Sequence, residues 1–453
     1  MKPVLKCDLL VIGTGPAASR VANRCAAEGW EVAIAEKREF GGTCALRGCN
    51  PKKVYVRAAE LCDWIRRGEG TLIRTSSAHI DWPQLVAFKR SFTDGIPEQS
   101  EAGYRKKGMT TLHGAARFVS PREVQVGEQR VAAEKVLIAS GARPATLDFP
   151  GSEHLVTSDE FMELDELPPR VLFVGGGYVS FEFAHVALRA GAQVAVVEQE
   201  SRVLRPFAAS LVERLAAHSR ELGMTIHTGT PIKSIEKTES GALRVQAEGA
   251  GGRETFDVDL VVHGAGRAPN LDGMDLAAGE VESTEAGVSV DEFMQSTSNP
   301  AVFAAGDCAA SGAAPLTPTA NAEGHAIART LLEGIRCRPD YGPVPAAVFT
   351  VPALASVGLS REAAEEQKLD FTVEAGDMSD WSSMKKVSET CAAYEVLVDK
   401  PSGRILGAHL LGPEAAETIN LFALAMKFGL TAKDVKSVLM AFPTFASDVR
   451  SMV

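Results

Sequence analysis

Cys44 and Cys49 stand five positions apart in GGTCALRGCNPKK, behind Gly41 and Gly42 and ahead of Pro51, Lys52 and Lys53. On a distorted first helical turn, that spacing can bring two thiols within disulfide range. A helix start and nearby lysines lower a thiol pKa, and the thiolate is the reactive form. The spacing therefore predicts a local redox pair. The other six cysteines, Cys7, Cys25, Cys62, Cys308, Cys337 and Cys391, stand alone and are expected to be small buried hydrophobes. No metal site is expected.

Two glycine clusters suit phosphate binding. In CDLLVIGTGPAASRVANRCAAEGWEVAIAE, an apolar run at Leu9 to Ile12 predicts a buried strand. Gly13, Gly15 and Ala18 follow in a G-x-G-x-x-A pattern, then a helical stretch to about Gly29, then a second strand at Val32 to Ala35 closed by Glu36. Gly13 permits the tight turn, Gly15 lets a pyrophosphate approach the backbone, and Ala18 allows close helix–strand packing. The helix N-terminus offers N–H groups to the phosphates, and Glu36 can accept hydrogen bonds from ribose hydroxyls. RVLFVGGGYVSFEFAHVALRAGAQVAVVE repeats the design, with Gly175, Gly177 and Ser180 at the three motif places and Glu198 closing its second strand. Glu198 favours a free 2′-hydroxyl and hence NADH over NADPH. Arg202 and Arg205, just downstream, are either partners for a 2′-phosphate or solvated loop charges.

These pieces resemble one family. GGTCALRGC with the following NPKK is similar to the redox-disulfide motif of the class I pyridine nucleotide–disulfide oxidoreductases, which include glutathione reductase, dihydrolipoamide dehydrogenase and mercuric reductase, and the resemblance covers essentially the whole chain. It implies FAD as resident cofactor, NADH or NADPH as electron donor, and a homodimer. Gly42, Thr43 and Lys52 fall among the FAD contacts of the motif. HGAARF, with Gly114 and Ala116, resembles a segment near the FAD adenine, and LIASGARP, with Ser140 and Gly141, the return linker between cofactor domains. GAGRAPN, with Gly266 and Arg267, resembles the exit from the nicotinamide domain. VFAAGDC, with Gly306 and Asp307, resembles the second FAD motif, and LTPTA, with Leu316, Thr317 and Pro318, a segment lining the flavin ring. The resemblance further implies that Tyr178 gates the nicotinamide, that Lys53 and Glu182 form a buried ion pair, that Cys49 lies nearest the flavin, and that Cys44 is the interchange thiol.

The C-terminus departs from the family pattern. Thiol-directed members carry His-Pro-Thr with a glutamate five residues after the histidine; here the stretch reads FPTFASDV, with Phe442 and Ser447 in those places. Asp448 follows one residue later, and a carboxylate does not replace an imidazole that titrates near neutral pH. His409 matches a position that reads as structural. Phe442 and Phe445 suggest an apolar mouth. The acceptor is then expected to need little proton delivery: an activated disulfide, a metal ion, a persulfide or a quinone rather than glutathione disulfide or lipoamide. The paired C-terminal cysteines of mercuric reductase are absent from the ending DVRSMV. A flavin-bearing redox sensor with little turnover is the alternative, in which an exposed Arg47 either serves a partner or is merely a solvated charge.

The 453 residues allow about three domains of 100–200 residues each. The expected fold is α/β, with two Rossmann-like dinucleotide-binding domains plus a C-terminal α+β dimerisation domain. The expected boundaries are 1–150 and 271–340 for the two parts of the FAD domain, 151–270 for the NAD(P) domain and 341–453 for the dimerisation domain. A net charge of -11 disfavours nucleic acid or an anionic membrane as partner. No apolar run reaches the roughly 18 residues of a membrane span, and the start at Met1 reads as a strand rather than a secretory signal, so the cytoplasm is expected.

Overall fold

Strands that read as near-continuous apolar runs are those buried on both faces of a parallel sheet. The computed structural model, which describes residues 3–75 and 77–453, pairs Leu5–Ile12 in parallel with Val32–Glu36, Leu9 opposite Val32 and Ile12 opposite Ala35. Met1 and Lys2 lie outside the described residues.

The chain divides into two units. The first takes the chain up to Lys52, Lys89–Ala145 and Arg267–Tyr341. Its sheet runs parallel through Thr110–His113, Val32–Glu36, Leu5–Ile12 and Gln129–Ile138, in that order. Val302–Ala304 also pairs in parallel with Gln129–Ile138, and Glu123–Val126 and Ala116–Ser120 add an antiparallel meander. The helices Pro16–Ala27 and Thr317–Glu333 pack closely because Gly324 has no side chain: a Cβ there would come 2.9 Å from the Ala17 carbonyl oxygen.

The second unit takes Lys53–Phe88, Thr146–Gly266 and Gly342–Val453. It holds a parallel sheet in the order Thr225–His227, Gln193–Val197, Arg170–Val174 and Leu260–His263. A three-stranded antiparallel sheet spans residues 232–258. Beyond Gly342 lies a five-stranded antiparallel sheet, with Ile405–Gly412 between Ala353–Gly358 and Ala393–Asp399. The helix Ala415–Lys427 buries Ile419, Phe422 and Ala425, the period expected of a helix packed on one face. The fold is therefore α/β with two dinucleotide-type parallel sheets and a C-terminal α+β part. None of the described helices is long and apolar enough to cross a membrane.

Candidate active site

Cys44 and Cys49 form a disulfide, their Cα atoms 4.7 Å apart. The two do not share a single distorted helical turn, as their spacing suggests. Cys44 sits in the short helix Gly42–Leu46, the helical path is interrupted at Arg47 and Gly48, and Cys49 opens the helix Cys49–Gly68. Gly41 and Gly42 have φ of 133° and 74°, conformations that bulky residues avoid. The Thr317 hydroxyl donates to the Cys44 sulfur at 3.3 Å and lies 3.5 Å from the Cys49 sulfur. Thr317 is the first residue of a 17-residue helix, so a positive helix end stands at the pair, and that environment favours thiolate. Arg47 is not the exposed residue expected: its side chain is only 14% accessible and it pairs with Glu39 at 2.9 Å, because the break between the two helices turns it back onto the preceding loop.

The six remaining cysteines are unpaired, five of them buried. Burial pushes the Cys7 thiol up to about 11 and those of Cys25 and Cys391 to about 12. Thiols held protonated in this way are inert.

The first glycine cluster builds a cradle. Gly13 has φ of 105°, and a Cβ there would fall 2.3 Å from the Ala139 carbonyl oxygen. Gly42 is pressed against Gly15, a Cβ on it falling 2.7 Å from the Gly15 Cα, whereas a Cβ on Gly15 would meet nothing within 4 Å. Open space therefore lies at Gly15, the N-cap of Pro16–Ala27, where an anion would sit. Ala18 is fully buried beneath. Glu36 accepts from the Thr14 hydroxyl at 2.7 Å and from the Arg38 N–H at 3.1 Å, which anchors its carboxylate at the strand end. Gly114 has φ of 132° and abuts Gly127, and Ala116 is buried. Thr43 is exposed and Lys52 buried. Gly141 adopts φ of 67°, and Arg267 donates to the Ala142 carbonyl at 2.5 Å. Among the described residues, the buried hydroxyl of Thr319 has no hydrogen-bond partner. Burial raises the pKa of Asp307, against the opposing pull of Arg267. Such groups call for a polar, hydroxyl-bearing ligand, and they fit FAD.

Sequence reasoning passed over Thr14, which ties Glu36 to the Gly41 N–H, and Glu323. The latter is 1% accessible, takes the Gly306 N–H at 2.6 Å and the Tyr341 hydroxyl at 2.9 Å, and has its pKa raised by burial. A lone acid among the small residues of TPTANAEGHAIA was the available signal.

The second glycine cluster is built alike in the other unit. Gly175 has φ of 95°, and a Cβ on it would fall 2.6 Å from the Ala265 Cα. Gly177 caps the helix Tyr178–Arg189, and Ser180 is pressed onto Gly264, which lets helix and strand approach. Glu198 accepts the Gly176 N–H at 2.5 Å and the Glu200 N–H at 2.8 Å. Arg202 donates to the carbonyls of Phe207 and Arg205, each at 2.9 Å, and Arg205 pairs with Glu200 at 3.2 Å. Gly266 has φ of 100° with open space beside it. Tyr178, at the first position of the helix, is 47% accessible.

One turn further along that helix, Glu182 is 1% accessible and meets Lys53 at 3.0 Å. Its other oxygen takes the Phe349 N–H at 2.9 Å, and the Lys53 ammonium lies 3.9 Å from the Phe349 ring centroid. Pairing of this kind is what makes a buried carboxylate tolerable. At the C-terminus, Phe442 is 85% accessible. Ser447 shares a capping box with Thr444, and Phe445 lies beneath the Lys386 ammonium at 4.8 Å. Asp448 accepts from the Ser383 hydroxyl, and burial raises its pKa. His409 is buried, its Nε2–H donating to the Leu359 carbonyl at 3.0 Å, and burial depresses its pKa.

The chain belongs to the pyridine nucleotide-disulphide oxidoreductase family: residues 7–324 match the family proper and residues 344–453 its dimerisation domain. It is an enzyme of this family, whose members use FAD and NAD(P)H. It is 32% identical to a glutathione reductase of Burkholderia cepacia over 97% of both chains. It is 28% identical to a mercuric reductase of Staphylococcus aureus over 98% of this chain and 81% of that protein. The fold is shared with the HOCl-induced flavoprotein disulfide reductase RclA from Escherichia coli, at a TM-score of 0.88, 23% identity, and coverage of 98% of this chain and 99% of that one.

Proposed function

We propose that this enzyme takes two electrons from NAD(P)H, passes them through FAD to the Cys44–Cys49 disulfide, and delivers them to an acceptor that needs little proton transfer. The observation that carries the reading is the disulfide itself, set at the start of one helix and touched by the first residue of another. FAD, when bound, supplies a two-electron relay between nicotinamide and sulfur. Gly13, Gly15, Gly42, Thr43, Glu36 and Lys52 would hold it, together with Gly114, Ala116, Ser140, Gly141, Arg267, Gly306, Asp307 and Leu316. Gly175, Gly177, Glu198 and Gly266 bind the nicotinamide dinucleotide. The Glu198 carboxylate, beside the glycine loop, repels a 2′-phosphate and favours NADH. Tyr178 covers the nicotinamide site until the dinucleotide enters. Lys53, held by Glu182, keeps a positive charge where negative charge develops.

The two electrons and one proton of the hydride break the S–S bond and leave one thiol and one thiolate. Cys49, at a helix start, is retained as thiolate, while Cys44 attacks the acceptor. Two electrons leave as the disulfide re-forms. Phe442, in the place of the acid–base histidine, removes a contribution typically of 10²–10⁴-fold to protonation of a leaving thiol, so glutathione disulfide and lipoamide are poor substrates. The acceptor is an activated disulfide, a metal ion, a persulfide or a quinone. The 344–453 region pairs two chains into a homodimer, and the enzyme works in the cytoplasm.

Anaerobic titration with NADH and NADPH tests the relay. A long-wavelength thiolate-to-flavin absorbance band should grow in, vanish in Cys49→Ser, and persist or strengthen in Cys44→Ser. A band that survives loss of Cys49 reverses the assignment.

A further inference from the structure

Three residues on one face of the helix Tyr178–Arg189 do more than bury surface. Glu182, His185 and Arg189 are spaced i, i+3 and i+7 and all reach the same short segment, Phe349–Pro352. Glu182 takes the Phe349 N–H. His185 Nδ1 receives the Val351 N–H at 3.2 Å and lies 3.2 Å from the Arg189 guanidinium, which also donates to the Val351 carbonyl at 2.7 Å. Nδ1 also lies 3.1 Å from the Val351 carbonyl oxygen. The neutral tautomer with hydrogen on Nε2 is the one that accepts from both the Val351 N–H and Arg189, and its Nε2–H faces the Ser219 oxygen at 3.1 Å, whose own hydrogen goes to the Leu215 carbonyl at 2.7 Å. Arg189 pairs with Asp63 at 2.8 Å; Asp63 also holds Arg67 at 2.7 Å, and Arg67 reaches Glu389 at 3.3 Å. Both polar groups of Val351 are therefore clamped. Two residues back, the Phe349 N–H and ring bound the Lys53–Glu182 pair.

His185 and Arg189 are 0% and 3% accessible amid Phe181, Phe183, Val186 and Ala187, where apolar side chains would pack without the desolvation cost of a charge. Orientation is what such a cluster gains. We propose that His185, with Arg189 and Asp63, is a positioning cluster: by fixing Val351 it holds Phe349, and through Phe349 it sets the geometry of the Lys53–Glu182 pair for hydride transfer. The inference rests on the role of that pair proposed above. His185 touches neither cofactor nor substrate in this scheme and acts through Glu182 and Lys53. A displacement of about 1 Å at a reacting centre costs as much as 10²-fold, so a loosened segment should be visible in the rate.

The experiment is rapid anaerobic mixing of holoenzyme with NADH or NADPH, following loss of the oxidised flavin absorbance as dinucleotide concentration is raised. His185→Leu should lower the limiting rate on the order of tenfold while the apparent Kd moves less than about twofold. Lys53→Met should also be slow, and Lys53→Met/His185→Leu no slower than Lys53→Met alone, since the two then share one route. Isosteres add a test that does not depend on the leucine variant folding. Asn places an amide oxygen near the Nδ1 position and should retain most of the rate; Gln places it near Nε2 and should not. Losses that multiply in the double variant, a His185→Leu enzyme at full speed, or Gln outperforming Asn overturns the inference. A Lys53→Met enzyme at full speed removes the role of the pair, and the inference with it; a slow Lys53→Met beside a fast His185→Leu removes the inference alone.

Discussion

At the scale of single residues, the proposed chemistry rests as much on Phe442 as on the two cysteines. Thr444 and Ser447 already form a capping box at the short helix Phe445–Asp448, and a glutamate at the Ser447 position keeps that box, because Glu serves as well at the third residue. Phe442→His should therefore raise activity towards small disulfides modestly. Phe442→His/Ser447→Glu should raise it further, towards the 10²–10⁴-fold that acid–base help provides, since the glutamate orients the imidazole and lifts its pKa. Steady-state kinetics with glutathione disulfide measures both; no gain in the double variant would show that some other geometry limits the reaction. The cysteines and the aromatic replacement were legible in the sequence because each sits at a fixed offset from Pro or Gly landmarks. Arg47 was not: its burial follows from a non-helical turn between two helices that spacing alone does not reveal.

At the scale of elements, strand–glycine–helix units are visible in sequence because the physical demands are local. Gly13 and Gly175 each adopt positive φ and leave no room for a side chain, since the backbone just past a neighbouring strand, at Ala139 and Ala265, passes close by. What the sequence hides is the long-range partner: Ala139 for Gly13, Gly264 for Ser180, and Val351 for His185 are set by topology, not by period. The helix Tyr178–Arg189 shows a consequence for stability. Burial first, and the Arg189 charge second, hold the His185 pKa well below its ordinary 6.5. The native protein keeps this imidazole neutral, while an unfolded chain takes up a proton on it, so acid favours unfolding. The stability tied to neutral His185 is complete above about pH 6.5 and declines as pH falls towards the depressed folded value, by up to about 1.4 kcal/mol per pH unit. Denaturant midpoints at about pH 7.5 and about pH 5.5 check this: the wild type should lose more stability on acidification than His185→Asn. Equal losses would mean that His185 takes up its proton without unfolding.

At the scale of the whole molecule, the exposed surface beyond Gly342 needs a cover. Leu424, Phe428, Leu439 and Phe442 are 55%, 72%, 92% and 85% accessible. Monomeric proteins expose single hydrophobes freely but seldom several large ones within one stretch of sequence. A chain with net charge -11 has charge enough for solubility, and the match of residues 344–453 to the family's dimerisation domain points to a second copy as the cover for these side chains. The wild type should sediment at twice the 48.0 kDa of the chain. Leu439→Glu with Phe428→Glu places two charges where desolvation is costly and should shift the equilibrium strongly to monomer, since burying an unpaired charge costs several kcal/mol. If the partner chain completes the disulfide's acceptor site, monomers should still have their flavin reduced by NADH at the normal rate yet fail to pass electrons onward. A monomeric wild type, or a charged variant that stays dimeric, would show that these apolar residues serve some other contact.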